Sequence, residues 1–276
     1  MRFGIDIAQQ RVAFDELVSR VRFAEELGFD GAWGFDHLVP MYGEGPGECF
    51  EGMTTLAALA TATTRIRLGL MVTGVTYRHP SVLAVEAITV DHASHGRLEL
   101  ALGAAWYGLE HEQFGIDFPP LGERFDRLED TLEIVTRLMS GDVVSYEGKH
   151  FNLRDARARP LPVQLPHPPI WIGGSGPKRT LPLVARYADM WHAYGGPAQL
   201  AEQSAQIDRL AEAIGRDPGA IGRATSLSLS EPDRVVRANI EAMRAVGIGY
   251  LHCGWPSEGP DRVASFANDV MPDYGG

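Results

Sequence analysis

The order of elements along the chain predicts an α/β protein, a (β/α)8 barrel of the TIM type, in a single domain spanning residues 1–276. Three observations predict it. Short apolar runs alternate with longer amphipathic segments roughly eight times, as a closed ring of parallel strands with helical crossovers requires. No GxGxxG follows the first strand-like run, where a doubly wound dinucleotide sheet, the alternative, would carry it. The length of 276 residues also suits one such barrel, which commonly runs to about 250.

Phe3 to Ile7 reads as a buried strand. Phe14, Leu17, Val18, Val21 and Ala24 then recur at helical spacing until Gly28 ends the helix. Gly31 to Phe35 reads as the second strand, Thr54 to Thr63 as an Ala/Leu-rich helix, and Ile66 to Val72 as the third strand. Pro80 opens a helix through Val90, at a position proline tolerates. Leu98 to Leu102 is the fourth strand. Arg124 to Met139 is a long amphipathic helix, with Phe125, Leu128, Leu132, Val135 and Leu138 on one face. The alternation then falters. Val143 to Phe151 predicts a hairpin around Glu147-Gly148, and the stretch to Pro169 is Pro-rich and irregular. Because alternation resumes afterwards, residues 142–168 read as an insertion and not as an inter-domain linker. Ile170 to Ile172, Met190 to His192, Ala224 to Leu229 and Tyr250 to Cys253 complete the eight strands. Helices at Arg179 to Tyr187, Leu200 to Ile214 and Val235 to Val246 lie between them, and Phe266 to Met271 belongs to a last helix.

Composition excludes several classes of partner. The formal net charge of −11 argues against a nucleic-acid surface, which needs clustered Lys and Arg. Lys149 and Lys178 are the only two lysines, so nearly all positive charge is arginine. Cys49 and Cys253 form no metal-ligand spacing, and the nine histidines include no HExxH, so no zinc site is expected. The opening MRFGIDIA lacks the pattern of a secretory signal, and no apolar run approaches the roughly 20 residues that span a bilayer. A soluble, cytoplasmic protein acting on a small molecule is the expectation.

In a barrel of this kind chemistry belongs at the C-terminal ends of the strands. Asp36 and His37 follow the second strand, a carboxylate beside an imidazole. The pair can move a proton or hydrogen-bond a polar ring; the bland alternative is a loop cap and a satisfied histidine. From residue type alone, Met71, Val72 and Thr73 read only as a buried strand ending at Gly74. Gly103 and Ala104 would let a flat ligand approach the backbone, while Trp106 and Tyr107 either wall a pocket or serve as core or interface aromatics. Gly174, Ser175 and Gly176, followed by Lys178, Arg179 and Thr180, lie between a strand and a helix. Free amides, the helix dipole and nearby charge there make an anion site, preferred over a flexible turn with solvated basic residues. GxxxxGK[ST] spacing is absent, so this is not a P-loop. His192 and His252 lie where either could reach a substrate or be structural, and neither cysteine reads as a nucleophile.

These residues stand within a longer series: AEELGFD (24–30), WGFDH (33–37), RIRLG (65–69), YRHP (77–80), SHGR (94–97), GAAWY (103–107), Phe118-Pro119, ERF (123–125), PIWIGG (169–174) and ARYAD (185–189). Together and in this order they resemble the bacterial luciferase-like superfamily, closest to its coenzyme F420-dependent oxidoreductases. The resemblance implies a barrel with an insertion after the fourth βα unit, and a flavin or deazaflavin at the C-terminal mouth. It places the cofactor phosphate at Gly174, Ser175 and Gly176. It also implies a non-proline cis peptide between Met71 and Val72 that backs the ring, a homodimer, and a role for Asp36 and His37 at the reactive end. His37 is the expected proton-transfer group, with Asp36 orienting it or bonding the ring. Two departures bear on substrate. Where the family's sugar-phosphate dehydrogenases carry a proton-donating glutamate, the position looks like Trp106 here, and the lysines that hold a sugar phosphate are scarce. Ala105 also stands where the family usually has glycine. The leading expectation is hydride transfer between F420 and a small organic substrate. The alternatives are an FMN-dependent monooxygenase supplied by a partner flavin reductase, and a non-catalytic flavin-binding barrel.

Overall fold

A barrel strand is buried on both faces, against the interior and against the surrounding helices, and so reads as an unbroken apolar run. In the computed structural model, which describes residues 1–275, such runs form β1 (Arg2–Asp6), β2 (Gly31–Gly34), β3 (Arg67–Leu70), β4 (Thr73–Gly74) and β5 (Leu98–Gly103). After the hairpin strands β6 (Val144–Glu147) and β7 (Asn152–Ala156) come β8 (Ile170–Gly173), β9 (Met190–His192), β10 (Gly222–Leu227) and β11 (Tyr250–Gly254). The helices are α1 (Phe14–Glu26), α2 (Gly52–Ala62), α3 (Pro80–Ala93), α4 (Gly108–Phe114), α5 (Leu121–Ser140), α6 (Thr180–Tyr187), α7 (Pro197–Ala213), α8 (Asp233–Ala245) and α9 (Pro260–Ser265).

The parallel sheet runs β3-β2-β1-β11-β10-β9-β8-β5, and the β3–β5 pairing of Leu68 with Leu98 closes it. β3 and β4 share one position in the ring, with Thr73 of β4 opposite Leu102, so the barrel has eight staves. This is the predicted fold class. The sequence reads the third strand as unbroken to Val72; the structure ends it at Leu70, where a cis peptide between Met71 and Val72 turns the chain before pairing resumes.

Aromatic side chains fill the barrel interior. Trp33 (β2), Trp171 (β8) and Tyr250 (β11) pack edge to face, with ring centroids 4.7 to 6.2 Å apart. Trp33 Nε1 donates to Tyr250 Oη at 2.7 Å, and Trp171 Nε1 donates to Glu99 Oε2 at 2.6 Å, so the polar handles are satisfied. A Cβ at Gly4 would lie 2.1 Å from Tyr250 Oη, which is why that strand position is a glycine. Met71 and Val72 pack on this cluster, and open space begins on their far side.

The predicted helices form with boundaries shifted by a few residues, and α3 starts at Pro80 with His79 as its cap. α9 begins at Pro260, ahead of the predicted last helix, and passes into a π turn at Phe266–Val270. One helix was not predicted: α4, seven residues closed by Gly115 at φ 66°, is too short and polar to show an apolar period. The hairpin lies at β6–β7, a separate antiparallel pair whose turn follows Glu147 as expected but whose second strand runs to Ala156.

Candidate active site

A cavity of about 340 Å³ occupies the C-terminal mouth of the barrel. Asp36 and His37 come to it from the end of β2, Met71 and Val72 from the break after β3, Gly103 to Trp106 from the end of β5, Gly173 and Gly174 from the end of β8, His192 from the end of β9 and Tyr194 from just beyond it. Leu121 and Phe125 of α5 close one side.

The polar pole of the cavity differs from the sequence expectation in one respect. Asp36 does not orient His37. The buried Asp36 carboxylate takes a two-pronged ion pair from Arg78, at 2.7 and 2.9 Å, and the Gly74 N–H at 3.0 Å. Burial pushes its pKa up, against the pull of Arg78 and of the Gly74 amide. Arg78 also bonds Glu51, which caps α2, and reaches Glu86 of α3 at 3.2 Å. The group that fixes His37 is Glu110, on the unpredicted α4. Its fully buried carboxylate receives His37 Nδ1 at 2.6 Å, the Leu38 N–H at 2.6 Å and the Tyr77 hydroxyl. Burial alone would raise the Glu110 pKa; the three donors outweigh it and hold the carboxyl below its ordinary value. An ionised Glu110 requires the proton on Nδ1, which leaves the Nε2 lone pair of neutral His37 free.

Val72 forms one wall. A Cβ on Gly103 or Gly173 would come within 2.5 or 2.9 Å of its methyl groups, so both flanking strands are bare where Val72 sits. Ala104 and Gly174 line the same space, and Trp106 stands at its entrance, 68% exposed. Thr73 is buried behind the wall and does not line the cavity. Ala105 holds φ +57°, the left-handed region, which accounts for glycine being usual at that position.

The β8–α6 loop keeps Gly174 at φ +114° beside the mouth, next to Ser175 and Gly176. Among the described residues the Ser175 and Gly176 amides donate to no protein acceptor. The basic residues are placed less simply than the sequence suggests. Arg179 is held by Asp126 at 2.6 Å, and Lys178 is exposed outside the cavity lining. Whatever anion the loop takes is met mainly by backbone amides and the α6 terminus.

His192 and His252 are buried side by side, ring centroids 5.8 Å apart. Burial pushes the His192 pKa down to about 4, and burial with the neighbouring imidazole pushes His252 down to about 3. Both are therefore neutral at physiological pH. His192 Nε2 lies 3.2 Å from Ser226 Oγ. Glu110, Tyr77 and Arg78 are site residues that the sequence reading passed over as such. A Tyr-Arg pair just beyond the third strand was visible among the quoted motifs, whereas Glu110 is one of several acids in a polar stretch and nothing distinguishes it there.

A closed barrel with an open cavity at the strand C-termini has the architecture of (β/α)8 proteins that work on small molecules at the barrel mouth. Residues 1–265 match the luciferase-like monooxygenase family, and the chain belongs to that family. It is 34% identical over 190 residues to an F420-dependent glucose-6-phosphate dehydrogenase of Microbacterium testaceum (strain StLB037), covering 68% of this chain and 55% of that one. It is 31% identical over 226 residues to an F420-dependent hydroxymycolic acid dehydrogenase of Mycobacterium tuberculosis (strain ATCC 25618 / H37Rv), covering 81% and 61%. The chain thus spans somewhat over half the length of the curated relatives it matches. A solved F420-dependent secondary alcohol dehydrogenase, in complex with an F420-acetone adduct, shares the fold at a TM-score of 0.86, with 98% of both chains covered and 18% identity. Among the described residues no helix is long and apolar enough to cross a membrane, and no cluster suits a metal ion.

Proposed function

We propose that this chain is an oxidoreductase that moves a hydride between coenzyme F420 and a small organic substrate. The observation that carries this reading is the His37–Glu110 pair at the polar end of the mouth cavity, 2.6 Å apart with Glu110 fully buried. Relatives named for F420-dependent dehydrogenation support the choice of cofactor.

The residues present fit a flat heterocycle with a phosphate tail. Val72, flanked by two glycines that could bear no side chain, offers an apolar wall, and the Ser175 and Gly176 amides offer an anion cradle. In this reading Met71, Val72, Gly103, Ala104, Trp106 and the loop from Gly174 to Gly176 would hold the cofactor, with Thr73 supporting the wall from behind. The bound deazaflavin supplies the carbon that accepts or gives the hydride. His37 Nε2 takes the hydroxyl proton as an alcohol becomes a carbonyl compound, and returns it in the reverse direction. Glu110 keeps His37 in the tautomer with Nε2 open, and its charge favours the imidazolium that forms, as the carboxylate does in a serine-protease triad. Asp36, locked to Arg78, holds the Gly74 N–H and so fixes the short strand that follows Val72.

We also infer one domain with 142–168 as an insertion, a cytoplasmic setting, and a homodimer. The exposed Val82 and Val85 on α3 give that dimer an apolar face. Fluorescence titration of the purified protein with F420 and with FMN tests the cofactor. Tight F420 and weak FMN binding is the expected result. The reverse would make this a monooxygenase in need of a reductase, and binding of neither would remove the cofactor assignment.

A further inference from the structure

Beside the mouth cavity lies a second one of about 300 Å³, at the ends of β1, β10 and β11. Tyr194 lines both, so the two are neighbours across one ring. Asp6, the last residue of β1, brings its carboxyl to the second cavity. The two acids of the mouth cavity's polar end are compensated, Asp36 by Arg78 and Glu110 by three donors. Asp6 is not. Among the described residues it has no donor and no cation, and burial alone acts on it, pushing its carboxyl up to about 7. A carboxylate left bare beside open space is a site for a ligand group that brings the missing charge. Around it stand the Tyr42 and Tyr194 rings, 65% and 71% exposed, the Trp255 indole, and the hydroxyls of Ser226 and Ser228.

The charge of this pocket is one-sided. No Lys or Arg lines it. Burial raises the Tyr42 and Tyr194 hydroxyls above their ordinary range, and burial with the neighbouring imidazole pushes His252 down to about 3. Asp6 is thus the one group of the lining that carries charge at neutral pH. The cations outside it are bound elsewhere. Arg11 donates to the Tyr42 and Gly45 carbonyls. Arg262 donates to the Leu229 carbonyl and pairs with Asp233 at 2.8 Å. Arg20 pairs with Glu16 at 2.9 Å and lies over the Trp255 ring at 5.0 Å, in a surface cleft that the indole also lines. Glu258, which accepts from Ser230 of the lining, adds a second negative group near the cavity.

We propose that this second cavity holds the cationic end of the substrate, an organic ammonium group placed between the Asp6 carboxylate and the Tyr42, Tyr194 and Trp255 rings, while the reacting part lies in the mouth cavity. A carboxylate and a cation attract more strongly in a site partly removed from water than in bulk. Aromatic rings add to this, since their faces are negative. The serine hydroxyls accept from ammonium hydrogens. A phosphate or carboxylate placed here would lose water and meet Asp6 with no cation to offset it. The assignment to substrate rests on the oxidoreductase reading; the preference for cations does not.

The test titrates the purified protein calorimetrically at about pH 8, where Asp6 is ionised and an amine is protonated. It is run first without cofactor and then saturated with F420. The probes are 1-adamantylammonium, 1-adamantanol and 1-adamantanecarboxylate. They share a shape, differ in charge, and carry no hydrogen on the substituted carbon, so no hydride leaves it. Wild type is expected to bind the ammonium at least about tenfold more tightly than the alcohol, and the carboxylate most weakly, with or without F420. Asp6→Asn should bring ammonium and alcohol within about twofold of each other and leave F420 affinity unchanged. Tyr42→Leu, at an exposed position, should lower the ammonium-to-alcohol ratio by about two- to fivefold, and decides the matter if the Asp6 variant does not fold. Equal binding of the three probes, or tighter binding of the carboxylate, overturns the proposal. So does a preference that survives in folded Asp6→Asn, or one that Tyr42→Leu leaves untouched. Cation preference without F420 binding would sink the cofactor reading alone; F420 binding without cation preference would sink this one alone.

Discussion

Replacing Glu110 by glutamine removes a charge while keeping the shape, and its consequences follow from counting donors. Three hydrogens converge on the carboxylate: from His37 Nδ1 and Leu38 N, each at 2.6 Å, and from the Tyr77 hydroxyl. Each bond to an ionised acceptor is worth about 1.5–3 kcal/mol. A glutamine has one oxygen and one NH2. If its oxygen faces His37 and Tyr77, the NH2 opposes the Leu38 N–H, donor to donor. If it flips, the NH2 faces His37, and the imidazole must move its proton to Nε2, where the base should be. Glu110→Gln is therefore expected to lower stability by about 2–4 kcal/mol, from one lost bond and one unsatisfied buried donor. Turnover should fall by about 10²–10⁴-fold, as it does when a general base is lost. Urea unfolding and the rate of F420 reduction in the stopped flow measure the two. A variant with wild-type stability and turnover within twofold of wild type would refute both the donor count and the tautomer assignment.

Further outcomes test other parts of the site. His37→Ala should cut turnover by about 10²-fold or more while F420 affinity stays within several-fold; normal turnover removes His37 from the mechanism. Gly103→Ala places a Cβ 2.5 Å from Val72, so a stability loss of about 1–3 kcal/mol with weakened F420 binding is expected in thermal melts and titration. Ala105→Gly relieves φ +57° and should raise stability by about 1 kcal/mol, seen as a higher melting temperature; a lower one would mean the Cβ packs usefully. His192, held down to about 4 against an ordinary 6.5, contributes stability that is fully present above pH 6.5 and is lost as pH falls, because the unfolded chain binds a proton the folded one refuses. Asp6, raised to about 7, titrates in the opposite sense, so the histidine is read by difference. His192→Phe should remove about 2 kcal/mol of acid-induced loss between pH 7 and pH 5, and parallel pH curves for both proteins would contradict the assignment.

The barrel was legible because its strands are buried on two faces and its helices on one, and those patterns survive in the sequence even for runs as short as Met190–His192. The break after Leu70 was not legible from residue type, since a strand and a strand with a kink share one apolar composition; it entered only through the family resemblance. In the site, Asp36 and His37 were found by their place at a strand end, but adjacency in sequence misled about their pairing. Consecutive residues leaving a strand point to opposite sides, so Asp36 turns toward Arg78 and His37 toward Glu110. Glu110 sits on one turn of a short helix whose fold is set by contacts 72 and 73 residues away, at Leu38 and His37, and no local spacing encodes such contacts. Arg179 shows the converse error: a basic residue in a suitable loop was counted as available when a distant acid, Asp126, already holds it.

The guanidinium of Arg78 touches a carboxylate at the site, one that caps α2, and one on α3. It is a rivet through the barrel wall. The layer that faces solvent beside Val82 and Val85 is fastened by it to the carboxylate that sets the backbone behind the reaction space. A displacement of that outer layer is then not confined to the surface. A substitution that loosens this electrostatic joint at α3 is expected to be felt at the pocket.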